Sequence, residues 1–197
     1  MVKDVERTAK KFFDGNGMYL LGSNLLMGTI LSLIPSGSLN IFLLFMLITA
    51  IETVIAWTWW KKDMEIVRFN SLTAFLLVAT LGLFAVFPLF RLTEGVPFWL
   101  ILIAYLLVVA YALYRKEVIF QAFYNPKKSK LYLGVMLVLV IFLIVGAFSF
   151  RYGQEMVILA SMNDHSGAFF VATFAYLLGL LLTFVSTALL KKPAELK

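Results

Sequence analysis

Residues 40–60 read NIFLLFMLITAIETVIAWTWW, a run in which Glu52 is the only ionisable side chain. A run of about 17–25 apolar residues crosses a bilayer as an α-helix, because hydrocarbon offers no partners to the polar backbone. The run is apolar throughout, whereas the strands of membrane barrels alternate apolar and polar residues. This stretch therefore predicts a transmembrane helix.

Five further segments have the same character, and the whole chain has the composition they require. It is 62% apolar and 14% charged, whereas a soluble domain has about 45–50% and about 25%. The sequence therefore predicts an all-α integral membrane protein, a six-transmembrane-helix bundle forming one membrane domain. The predicted spans, with ends placed to about two to four residues, are 18–34, 40–60, 70–90, 97–114, 131–150 and 167–190.

The basic residues fall on two unequal sides of this arrangement. Arg91 and Arg151 lie on one side. The remaining fifteen of the 17 lysines and arginines lie on the other, namely Lys3, Arg7, Lys10, Lys11, Lys61, Lys62, Arg68, Arg115, Lys116, Lys127, Lys128, Lys130, Lys191, Lys192 and Lys197. Short cytoplasmic loops carry an excess of Lys and Arg, so both termini are predicted to be cytoplasmic. Topology thus explains the net charge of +6 better than nucleic-acid binding does.

The residue inventory excludes several kinds of chemistry. The absence of cysteine excludes disulfides, thiolate metal sites, iron–sulfur clusters and a cysteine nucleophile. A single histidine, His165, argues against b-type haem and multi-histidine metal sites. The sequence contains no Gly-rich phosphate loop, HExxH or GxSxG. We therefore expect no cofactor, no metal and no catalytic residue, and a role other than that of an enzyme.

Glu52 is the residue that most needs an explanation. It precedes Lys61 by nine residues, which places it roughly 13 Å deep in a hydrocarbon core of about 30 Å. A charged side chain at that depth costs at least about 3 kcal/mol. Either the carboxyl is protonated or it faces a polar partner or cavity.

Counting residues from each hairpin places four other polar side chains at a depth similar to that of Glu52. The sequence therefore predicts an intramembrane polar site, for a ligand or a proton, made of Glu52, Asn24, Thr80, Tyr105 and Thr183. The alternative for the hydroxyl residues is packing, because small and hydroxyl side chains commonly line contacts between membrane helices.

Two segments outside the spans are predicted to be helical. Residues 2–13 can form an amphipathic helix on the membrane surface, with Phe12 and Phe13 facing lipid. Residues 118–124 lie between two basic clusters and predict an extension of the fourth span, or an interfacial helix, ending at Asn125-Pro126. This second segment could anchor the chain to anionic lipid or dock a cytoplasmic partner. The span at 131–150 is the best candidate to face lipid or a partner.

Three functions remain open from the sequence. The first is a transport protein, or a solute- or ion-binding membrane protein or transporter subunit, in which Glu52 handles a proton, a cation or a cationic solute. Six helices in 197 residues match the substrate-binding subunits of energy-coupling-factor transporters in size and topology, although the AxxxA motif of those subunits is missing from the first helix. The second is a non-catalytic accessory, assembly or regulatory subunit of a larger membrane complex. A third reading is a lipid-modifying enzyme that uses His165 and Glu155.

The surroundings of Glu52 distinguish the first two functions. A transporter should have a cavity that reaches Glu52, whereas an accessory subunit should have Glu52 sealed by hydrogen bonds. The expected partners are the bilayer and another membrane subunit or a second copy of the chain, and the first function adds a small solute, cation or proton. The expected location is a prokaryotic cytoplasmic membrane.

Overall fold

The computed structural model describes residues 7–62, 64–150 and 162–191. Within these residues all regular secondary structure is helical, which confirms the all-α prediction. Two short 3-10 segments occupy Pro126–Lys128 and Thr187–Leu190. The α-helices are α1 (Ala9–Phe13), α2 (Asn16–Ser32), α3 (Leu39–Lys61), α4 (Ile66–Leu92), α5 (Gly95–Tyr114), α6 (Lys116–Tyr124), α7 (Lys130–Phe150) and α8 (Asp164–Ser186).

Four helical stretches are long and apolar enough to cross a membrane, with mean hydropathies of 2.2 to 2.4. They are Leu39–Lys61, Ile66–Leu92, Gly95–Tyr114 and Asp164–Leu190. The other two predicted spans coincide with α2, which has 17 residues, and with the apolar α7. The chain is therefore all-α and of membrane type, while the count of six spans stays a prediction.

Local chemistry explains several helix boundaries. The Ser38 hydroxyl accepts from Ile41 N at 3.5 Å, and Asn163 Oδ1 accepts from Ser166 N at 2.8 Å, so each side chain caps a helix start. Only two residues separate α4 from α5. Gly95 follows them with φ of 63°, a left-handed conformation that favours glycine.

Helix α4 is central, and its most extensive contact is with α8. The two backbones meet at Gly82 and Gly179. A Cβ atom on Gly179 would lie 2.7 Å from Gly82 O, and one on Gly82 would lie 2.9 Å from Gly179 O. Membrane helices attract each other mainly through van der Waals packing, so a pair of glycines at the crossing allows the closest approach.

The opposite side of α4 packs against α2, which in turn packs against α3. Phe45 of α3 and Phe84 of α4 stack with ring centroids 4.0 Å apart. Gly28 of α2 lies against both, since a Cβ atom there would be 3.3 Å from Phe45 Cβ and 3.5 Å from Phe84 Cε2. These contacts hold α2, α3 and α4 together as a three-helix group.

Arginine side chains tie together the ends of the helices. At one end, Arg7 donates to Trp60 O at 2.9 Å and to Met64 O. At that end Arg68 also donates to Leu190 O at 2.6 Å, at the close of the last helical stretch, where unpaired carbonyls need donors. At the opposite end, Arg91 donates to the carbonyl oxygens of Ile34 and Ser36 in the loop after α2, at 2.6 Å each, and to that of Ser32, the last residue of α2, at 3.2 Å.

The amino-terminal segment differs from its prediction in one respect. Residues 1–6 lie outside the described ranges, and α1 begins at Ala9. Phe12 is 1% exposed and packs against protein, with its ring 5.1 Å from Trp57 and 6.4 Å from Phe69. The expectation that Phe12 faces lipid was therefore wrong, because Trp57 and Trp60 of α3 and Phe69 of α4 form a site for it. Phe13 is 45% exposed.

Helices α5 and α7 lie at the periphery. Ala112 is the one buried residue of α5. Helix α7 contacts α8 through Phe142 and Phe174, whose rings are 4.7 Å apart, and leaves many of its apolar side chains exposed. The exposure of α7 agrees with the expectation that it faces lipid or a partner.

The crossing of α4 and α8 predicts opposite effects for two glycine substitutions. Gly179→Ala places a methyl group against the backbone of Gly82 and should destabilise the chain by about 1–3 kcal/mol. Gly22→Ala in α2 meets no atom within 4 Å and should be neutral or stabilising by up to about 1 kcal/mol. Thermal unfolding of both variants in detergent measures the difference, and equal transition temperatures would contradict this crossing.

Candidate functional site

Glu52 lies on the face of α3 that meets α2 and α4. It shares that face with Thr49 and Ala56, at helical spacings of three and four, and all three are buried. Glu52 itself is 8% exposed. Its position in the bundle therefore follows from the stripe of small and polar residues that packs α3 against its neighbours.

Two side chains from the neighbouring helices bind the Glu52 carboxylate. Asn24 Nδ2 of α2 donates to Oε2 at 2.8 Å, and Thr80 Oγ1 of α4 donates to Oε1. Asn24 is 0% exposed and Thr80 is 4% exposed. We call this set of Asn24, Glu52 and Thr80 the Glu52 junction, because it links three helices through one carboxyl group.

Both partners of Glu52 in the junction are neutral, and one polar atom beside them has no hydrogen bond. Asn24 Oδ1 is buried without a partner among the described residues. An asparagine amide carries both donors and an acceptor. It can therefore donate to a carboxylate or, turned over, accept from a protonated carboxyl. The junction can chemically hold one proton or offer oxygen ligands to a small cation.

The hydroxyl groups of two threonines beside the junction form hydrogen bonds within their own helix. Thr49 Oγ1 donates to Phe45 O, and Thr53 Oγ1 donates to Thr49 O, each at 2.8 Å. Such bonds to the preceding turn satisfy a hydroxyl without an interhelical partner. These residues therefore pack beside the junction without extending its hydrogen bonds.

The other two predicted site residues lie elsewhere. Thr183 of α8 faces Gly82, because a Cβ atom on Gly82 would lie 2.5 Å from Thr183 Oγ1. Thr80 and Gly82 are two residues apart and so point to nearly opposite sides of α4. Tyr105 lies near Thr183, whose buried hydroxyl has no hydrogen-bond partner among the described residues. The structure thus joins three of the five residues and places Tyr105 and Thr183 across α4.

One groove among the described residues comes within about a helical turn of the junction but does not include Glu52. It has a volume of about 320 Å³ and lies between α2 and α4, lined by Asn16, Tyr19, Leu20, Asn70, Thr73, Ala74 and Leu77. Asn16 Nδ2 donates to Asn70 Oδ1 at 2.7 Å beside it. Leu20 and Leu77 precede Asn24 and Thr80 by about one turn. Leu20 is fully buried and lines the groove on the side that faces Asn24 along α2.

A second groove of about 320 Å³ lies near the other end, lined by Leu33, Ile34, Pro35, Met162, Asn163, Asp164, Gly167, Ala168 and Val171. Neither groove includes Glu52. The pairing of His165 with Glu155, on which an enzyme would depend, cannot be placed, because Glu155 lies outside the described ranges.

Comparison with models of protein families, with characterised proteins and with solved structures found no significant match to this chain.

The junction predicts unequal effects for two identical substitutions in α4. Thr80→Val removes an interhelical donor from the Glu52 carboxylate, whereas Thr73→Val removes only a bond from Thr73 Oγ1 to Phe69 O of the same helix. Both threonines are buried. Thr80→Val should cost about 0.5–2 kcal/mol more than Thr73→Val, the range for polar contacts between membrane helices. Denaturation in mixed micelles measures both, and equal losses would show that the Thr80 contact contributes nothing.

Proposed function

We propose that the chain is a six-span membrane protein with both termini in the cytoplasm, serving as a non-catalytic subunit of a larger membrane assembly. The contacts at the helix ends support this orientation. Arg7, Arg68 and Lys191 meet the same end of the bundle, where Arg68 reaches Leu190 and Lys191 pairs with Glu117 at 2.9 Å. Arg91 lies at the other end. This asymmetry is the one that basic residues show across a cytoplasmic membrane.

The observation that carries the non-catalytic role is the closure of the Glu52 junction. A carrier of protons or solutes needs an aqueous route to its intramembrane acid. Glu52 is instead hydrogen-bonded at both carboxylate oxygens, almost fully buried, and lines none of the grooves described here. This geometry suits a residue that fixes the relative positions of three helices. The expense of placing an acid in the membrane is then offset by interhelical hydrogen bonds.

A proton- or cation-handling transport protein is the second candidate, and a specific observation favours it. Asn24 Oδ1 is a buried acceptor without a partner, directly beside a carboxylate. Buried polar atoms are nearly always hydrogen-bonded, so such an oxygen is a natural acceptor for the O–H group of a protonated Glu52 carboxyl or a natural ligand for a cation. In this candidate the described conformation is the closed one, and movement of Leu20 connects the junction to the groove at Asn16.

Two substitutions of Glu52 distinguish the candidates. Glutamine keeps an acceptor for Thr80 and, once the Asn24 amide turns over, donates to Asn24 Oδ1, so Glu52→Gln should unfold at the same temperature or higher. Glu52→Leu leaves both donors unpaired, at about 1–3 kcal/mol each, and should unfold earlier. Thermal unfolding in detergent gives both values.

The same proteins, reconstituted into vesicles with an internal pH-sensitive or sodium-sensitive dye, give the functional result. A non-catalytic subunit predicts that wild type and Glu52→Gln pass protons and sodium ions no faster than vesicles without protein. Flux through wild type that disappears in a fully folded Glu52→Gln variant would overturn that role and establish the second candidate.

A further inference from the structure

A third groove, between α6 and α7, differs from the other two in its charge. It has a volume of about 410 Å³ and is lined by Val118, Gln121, Ala122, Asn125, Lys128, Ser129, Lys130 and Leu131. Two of these side chains are cationic and three more are neutral hydrogen-bonding groups. By contrast, the groove at Asn16 has no charged residue in its lining, and the one at Leu33 has a single acid.

The segment around this groove is basic as a whole. Residues 115–130 contain five lysines and arginines and one acid, Glu117. That acid is engaged by Lys191 at 2.9 Å, and the contact lowers the pKa of the Glu117 carboxyl. Glu117 therefore stays ionised and paired with Lys191. The net field at the groove favours an anion.

The start of α7 adds backbone donors to the groove. Ser129 caps this helix of 21 residues, with its hydroxyl accepting from Tyr132 N at 3.1 Å. The carbonyl of Ser129 accepts from Leu133 N at 3.2 Å. The amide groups of Lys130 and Leu131 belong to the same first turn, which has no intrahelical acceptors for them. Such a helix start binds phosphate groups through its N–H donors and its dipole.

An apolar surface continues from the groove along α7. Leu137, Val138 and Ile141 follow Lys130 at spacings of seven, eight and eleven residues, so they lie on the same helical face. All three are exposed. A ligand with a phosphate group in the groove would therefore have an apolar helix face beside its remaining atoms, as the acyl chains of a lipid require.

We propose that the groove between α6 and α7 binds the phosphate headgroup of an anionic membrane lipid. Lys128 and Lys130 supply the charge, Gln121 and Asn125 supply polar contacts, and the exposed face of α7 receives the acyl chains. A basic pocket between membrane helices is a recognised form of lipid headgroup site. The inference does not depend on the role proposed for Glu52.

The test uses the full chain in neutral detergent, titrated with phosphatidylglycerol, with phosphatidylcholine or with inorganic phosphate. Binding is measured by native mass spectrometry and by the shift in unfolding temperature. The test variant is Lys128→Ala with Lys130→Ala. The matched control is Lys116→Ala with Lys127→Ala, which removes the same charge from the same segment without touching the lining of the groove.

Wild type and control should bind phosphatidylglycerol in preference to phosphatidylcholine, and the test variant should lose about tenfold in apparent affinity. All three proteins should keep their unfolding temperature without lipid, since the lysines are exposed. Equal losses in test and control variants would show a diffuse charge effect and overturn the site. Equal binding of inorganic phosphate would overturn the lipid as its ligand. If the protein binds both lipids equally, the proposal is contradicted, and the basic segment is better explained as a binding site for a protein partner.

Discussion

A carboxyl group inside a bundle of apolar helices has to be satisfied by the protein, because the surrounding hydrocarbon offers it nothing. In this chain Asn24 and Thr80 meet that requirement from two different helices. The consequence is geometric as well as energetic. Hydrogen bonds are directional, so the positions of α2, α3 and α4 are set relative to one another at a single depth. Packing of Phe45, Phe84 and Gly28 then fills the space beside that point.

The contact between α4 and α8 depends on a different kind of interaction. Helix α8 reaches α4 through backbone contact at Gly82 and Gly179, and no charge is involved there. Arg68 and Ser71 then close one end by donating to Leu190 O and Leu189 O, at 2.6 Å each. Helix α4 thus carries a polar contact on one side and a small-residue contact on the other. Its 27 residues are long enough to carry both.

Much of the fold could be predicted from composition and periodicity, because long apolar runs permit few structures in a membrane. Each of the six segments coincides with a helix, and hairpin counting placed Asn24 and Thr80 at a depth similar to that of Glu52. The direction in which each side chain projects from its helix axis was not predictable. Tyr105 and Thr183 were therefore grouped with residues that lie on the other side of α4. The burial of Phe12 was missed because it depends on the tertiary arrangement of Trp57 and Phe69. The partners of Arg91 are backbone carbonyls, which no side-chain pattern reveals.

We propose that the Glu52 junction is closed to water. Because the chain has no cysteine, a single Thr49→Cys variant gives a specific probe. Thr49 is buried one turn from Glu52, and its hydroxyl bonds only within α3. The most direct measurement is the rate at which this cysteine reacts with a membrane-impermeant maleimide in vesicles. The rate for a Lys62→Cys variant, in which the cysteine takes the place of an exposed side chain, is measured for comparison. A closed junction predicts no reaction at position 49 from either side, and reaction at position 62 from the cytoplasmic side alone. Reaction at position 49 comparable with that at position 62 would contradict it.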